Sequence, residues 1–137
     1  MKTRQIIFTV KAVLALVGGW LGSLVGGWDR TMTTLTLFIV ADILSGWIRA
    51  IIKHRLSSKR SYRGTLRKVL IYVMVAVGAQ VDCMLDTNLV RDAVISFYCI
   101  AEALSVVENV TAAGVPVPSI IRRVLEENNT KKFDKRG

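Results

Sequence analysis

Histidine occurs once in this chain, at position 54, and cysteine twice, at Cys83 and Cys99. Neither cysteine has a partner at metal-ligand spacing, so a zinc site built on His and Cys is excluded. Both thiols sit in or beside apolar stretches and read as free, small hydrophobic groups. Proline is confined to two neighbouring positions, 116 and 118, leaving everything before them free of helix breakers of that kind. No G-x-S-x-G surrounds Ser45, and no glycine-rich phosphate loop follows a strand pattern. With a lone histidine and no such motif, the sequence offers no catalytic residue, no metal site and no cofactor site, and an enzyme is not expected.

What is present is apolar bulk and positive charge. Of 137 residues, 52% are hydrophobic, yet the formal net charge is +9, and the mean hydropathy is +0.43. Both can hold only if charges and apolar residues are segregated along the chain. Long apolar runs separated by basic connections are the signature of a small polytopic membrane protein. The cations fall between these runs, which points to lipid headgroups and not to nucleic acid.

The periodicity and run lengths predict an all-α chain with four membrane-embedded helices, at about 5–27, 31–52, 66–85 and 89–113. Gly114-Val-Pro116-Val-Pro118 closes this membrane domain (1–114). A tail (115–137) follows, with a short amphipathic helix at about 119–129 and a disordered polar end. The connection 53–68 holds Lys53, Arg55, Lys59, Arg60, Arg63, Arg67 and Lys68 and no carboxylate. It reads as a cytoplasmic loop against lipid headgroups. The connection around Asp82, Asp86, Arg91 and Asp92 is net acidic and reads as external. The N-terminus (Lys2, Arg4) and the basic tail then fall on the cytoplasmic side.

Two features inside the apolar segments demand explanation. The first is a small-residue row, Gly18, Gly22 and Gly26, with Gly19, Ser23 and Gly27 beside it. At helical spacing it makes a smooth face on which two helices can approach closely in lipid, within one chain or between copies. The second is a set of polar and charged residues at membrane depth: Lys11, Asp42, Ser45, Arg49, Asp82, Glu102, Ser105, Glu108 and Asn109. Asp42 lies ten residues from the basic end, so ~15 Å deep at 1.5 Å per residue. Arg49 is close enough to that end to snorkel to the headgroups. Tyr98, Glu102, Ser105 and Asn109 form one stripe on the fourth segment, which fits either a span with one face turned to protein or water, or a helix lying at the interface. Charges at membrane depth are costly and rarely face lipid. Three roles compete: pairing within one subunit (Lys11 with Asp42, Glu102 or Glu108), lining a watery path between subunits, or relaying protons.

Taken in order, several fragments resemble the phage holin family that includes toxin-secretion and phage-lysis holins. They are Gly26-Gly27-Trp28-Asp29, Leu37 to Asp42 with Ser45-Gly46, Ser57-Ser58-Lys59 with Gly64, and Lys68. Beyond these come Asp82, Phe97-Tyr98, Glu102 with Leu104-Ser105, Glu108-Asn109 and the Gly114–Pro118 stop. The basic loop, with Arg49 and Arg60, is richer in cations than the family pattern. The resemblance implies a homo-oligomer in the bacterial cytoplasmic membrane that permeabilises it at a threshold, so that an endolysin or a large toxin crosses. It implies no cofactor and no turnover. A membrane scaffold that makes no hole, or a small ion channel or transporter, are the rival expectations.

Overall fold

A computed structural model gives the architecture. It describes the backbone of residues 2–55 and 57–134, and their side chains except those of 58–61 and 128–134. Five helices are found among the described residues and no strand: α1 (Lys2–Leu24), α2 (Arg30–Ile52), α3 (Ser58–Leu85), α4 (Leu89–Ala112) and α5 (Ser119–Asp134). The first four are long and apolar enough to cross a membrane.

Each of these four ends the same way. The residue after the last turn takes a left-handed conformation: Gly26 (φ 79°), His54 (φ 50°), Asp86 (φ 51°) and Gly114 (φ 95°). The amide one residue further donates back five positions: Gly27 to the Gly22 carbonyl at 2.9 Å, Arg55 to Ala50 at 3.0 Å, Thr87 to Asp82 at 3.0 Å and Val115 to Val110 at 3.2 Å. This arrangement satisfies carbonyls that a helix end leaves over, and glycine is its cheapest left-handed residue. The lone histidine is therefore a helix-stop residue.

Two ranges differ from the sequence expectation. α1 stops at Leu24, and not near residue 27, because Gly26 takes that capping position. α3 starts at Ser58, well before residue 66: the basic stretch after Ser57 holds Lys and Arg, good helix formers, and no proline, with Gly64 tolerated inside the helix, so most of the expected loop is helical. α5 likewise continues past 129 to Asp134, through part of the stretch expected to be disordered; residues 135–137 lie outside the described residues.

The core is small and shared by α2, α3 and α4. Met32, Leu35 and Ile39 of α2 meet Ile71 and Val75 of α3 and Ile95 of α4. Tyr72 donates to Thr36 Oγ1 at 2.9 Å beside this cluster. Gly78 lets α3 and α4 close up: a Cβ there would lie 3.1 Å from the Arg91 Cα. The outward faces stay apolar, as in Leu37, Val40, Leu44 and Ile48 on α2 and Val69, Leu70, Val73 and Val77 on α3. So much exposed apolar side chain suits hydrocarbon, not water. α1 is the outlier. It has no buried residue and meets only α3 among the helices, near its C-terminal end, where Gln80 Nε2 donates to the Leu24 carbonyl at 3.3 Å.

Candidate functional site

Three helices bring their polar residues to one place between them. Lys68 of α3 extends toward α2 and α4. Its ammonium pairs with Asp42 Oδ2 at 2.8 Å and with Glu102 of α4. Asn109, one polar step further along α4, donates from Nδ2 to Asp42 Oδ1 at 2.9 Å and to Ser45 Oγ at 3.2 Å. It accepts at Oδ1 from Arg49 Nη1 at 2.9 Å. Glu102 and Asn109 are both buried, at 6% and 8% exposure. The stripe on α4 thus faces the bundle interior, and α4 is the helix that both α2 and α3 pack against. The polar face of α4 is turned to protein.

The pairing itself departs from expectation. Lys68 is a half-buried bridge well inside α3, not a headgroup-facing loop residue, because α3 begins ten residues earlier. Lys11, expected as a partner for Asp42, Glu102 or Glu108, stands exposed on α1 and makes no ion pair among those found. Arg49, exposed at the end of its helix, is also tied to Asn109 instead of reaching only for lipid. Glu108 is exposed, and Ser105 is half-buried beside the cluster. Of the remaining loop cations, Lys53, Arg55, Arg63 and Arg67 are exposed, while the side chains of Lys59 and Arg60 lie outside the described residues.

A second polar cluster locks the opposite end of the bundle. Asp82, at the end of α3, accepts from the amides of Val90 (3.0 Å) and Arg91 (2.8 Å) and from Thr87 Oγ1 (2.5 Å). Its carboxylate thereby caps α4, whose own Asn88 makes no side-chain cap bond. Arg91 crosses to the α1–α2 turn, donating to the carbonyls of Val25 (2.6 Å) and Gly27 (3.0 Å) and pairing with Asp29 Oδ2 (2.8 Å). Asp29 also caps α2, accepting from the Met32 amide at 2.9 Å. The Arg91 bond, then the Met32 amide, hold the Asp29 carboxyl well below the usual carboxylate range.

The glycine row divides between two roles. A Cβ at Gly18, Gly19 or Gly22 would meet nothing within 4 Å, so that part of α1 is an open face. Ser23 donates to the Trp20 carbonyl at 2.7 Å, within its own helix. Gly26 and Gly27 have left the helix. Gly26 lies against Arg91, where a Cβ would come within 2.9 Å of the guanidinium stem, and belongs to the turn and not to the open face.

Two residues here escaped the sequence reading although their positions were legible. The buried face of α3 is Lys68, Ile71, Val75, Ala79 and Asp82, a helical row that begins and ends in a charge. The α4 stripe extends backward from Tyr98 through Ile95 to Arg91 at the same spacing. Following both rows to their ends reaches Lys68 and Arg91.

The model of the bacteriophage holin family matches residues 19–129. The chain belongs to that family. A protein named as a probable holin, from Bacillus phage phi105, is 33% identical over 100 residues, covering 70% of this chain and 74% of its own. An uncharacterised protein of Listeria monocytogenes is 38% identical over 109 residues, 79% of this chain and 78% of its own. One from Clostridium perfringens is 34% identical over 128 residues, 92% and 95% respectively. No solved structure matches. In this holin-family chain both polar clusters lie inside the matched stretch, whereas Lys11 and Gly18 precede it.

Proposed function

We propose that the chain is a lysis or release holin of the bacterial cytoplasmic membrane. Copies accumulate, associate, and at a threshold permeabilise the membrane so that an endolysin, or a large toxin, reaches the cell wall. The termini and the α2–α3 connection face the cytoplasm, in accord with the positive-inside bias of Lys2, Arg4, Lys53 and Arg55. The observation that carries the association step is α1: a 23-residue apolar helix with no buried residue, whose Gly18, Gly19 and Gly22 face is unfilled. In lipid, such a face gains packing only against another helix, and a second copy supplies one.

The polar cluster within α2, α3 and α4 serves this reading as an internal scaffold. With Lys68 between Asp42 and Glu102, the three charged helices are tied together inside one subunit, leaving α1 to make contacts between subunits. Gly22→Leu tests the assignment, because a Cβ at this position meets nothing within 4 Å inside the subunit and the side chain extends from an open face. The expected result is fewer oligomers in membrane cross-linking and an altered lysis time, with the helical bundle intact. Unchanged oligomers and timing would remove α1 from the association step. A small channel is the second reading, favoured by a cavity of about 1140 Å³ that reaches Asp42. Ion-selective leakage without passage of protein would support it.

A further inference from the structure

That cavity lies where α2 ends and α3 begins, opening at the same end of the bundle as the close of α4. Its lining includes Asp42 and Lys68, already paired with each other, Asp42 also accepting from Asn109 and Lys68 also pairing with Glu102. Its mouth is different in character. Arg49, Lys53 and Arg55 line it, against one exposed carboxylate, Glu108. Ser57, at the N-cap position of α3, lines it as well and makes no side-chain cap bond, so the positive end of that helix adds to the field. One wall is apolar: Trp47 and Ile51, both more than half exposed, continue the outward face of α2.

We propose that this cavity binds one anionic phospholipid, its phosphodiester on Arg49, Lys53 and Arg55 and an acyl chain along Trp47 and Ile51. The charge at the mouth selects the anionic headgroup. The apolar wall, continuous with the lipid-facing side of α2, selects a molecule that carries a tail. Three cations lining one concavity differ from a basic surface, because Arg49 is held in place by Asn109 and does not have to be ordered by the ligand. The site does not depend on lesion formation, since the resting subunit already has it.

Trp47 provides the readout. Full-length protein carrying Trp20→Phe and Trp28→Phe keeps Trp47 as its one tryptophan. It is reconstituted in phosphatidylcholine bilayers into which brominated phosphatidylglycerol or brominated phosphatidylcholine is titrated. Trp47 fluorescence should be quenched at a lower mole fraction of the anionic lipid. Lys53→Gln with Arg55→Gln, both exposed and outside the packed core, should reduce this preference by roughly fivefold per cation removed. Arg63→Gln with Arg67→Gln, exposed on α3 outside the cavity, should leave it in place. Equal quenching by the two lipids would overturn the proposal. So would equal loss in both double variants, which would assign the preference to general surface charge. Displacement of the anionic lipid by millimolar inorganic phosphate would overturn it too, in favour of a soluble anion.

Discussion

Lys68 joins α2, α3 and α4 through a single ammonium, and its surroundings set what its loss costs. Asp42 and Glu102 both turn toward it, and Asn109 adds one neutral donor. Replacing the lysine by an apolar residue leaves two carboxylates facing one another, Glu102 buried and Asp42 half-buried in the cavity lining. Breaking a fully buried charge pair costs about 3–5 kcal/mol, so this half-buried one costs less; removing the opposing charge as well recovers much of the loss. Lys68→Met is therefore expected to unfold at markedly lower denaturant than the parent in mixed micelles. Adding Glu102→Gln to Lys68→Met should restore part of the difference. If Lys68→Met were as stable as the parent, the cluster would not be what ties the three helices.

The sequence made Asp42 and Glu102 conspicuous, because carboxylates at membrane depth need a partner, but it did not name that partner. Lys68 was hidden by a boundary. With the third helix begun near residue 66, its cation belonged to a loop; with α3 begun at Ser58, it is ten residues inside. Lys11 looked the better candidate by depth alone, and depth says nothing about which helix is packed against which.

At the level of elements, α1 and α3 carry their glycines for opposite reasons. Gly78 of α3 is pressed against the Arg91 backbone of α4, so any side chain there must push the two helices apart. Gly22 of α1 faces open space. Gly78→Val should destabilise the isolated subunit by about 1–3 kcal/mol, the usual cost of overpacking, while Gly22→Val should leave its thermal unfolding unchanged. Equal effects would mean that α1 is packed within the subunit after all. The four spans, their order and the α4 polar stripe were legible from run length and period. The helix ends were less so. Gly26 and Gly114 advertise a stop by residue type, whereas His54 and Asp86 occupy the same left-handed position with only the weaker preference that Asp and His have for it. The small-residue row likewise ran on through Gly26 and Gly27 as a pattern, while the chain itself had already turned at Leu24.

Across the whole molecule, the division of labour is between a bundle closed by its own charges and a helix left outside it. α2, α3 and α4 bury their polar residues against one another and present apolar side chains outward. α1 hangs from the Arg91 cluster by its C-terminal end and leaves its length unpacked within the subunit. On the proposed reading such a subunit accumulates without harm while single, since Asp42, Glu102 and Arg91 are already paired inside the bundle. On that reading it becomes disruptive only in numbers. The measurement that tests this most directly is inducible expression of the full chain in bacteria alongside a cytoplasmic reporter enzyme, following growth, membrane potential and the enzyme outside the inner membrane. The account predicts normal growth for a lag, then abrupt arrest, collapse of the potential and release of the folded enzyme. Accumulation of the protein to the same level with the potential intact and the enzyme retained would contradict it.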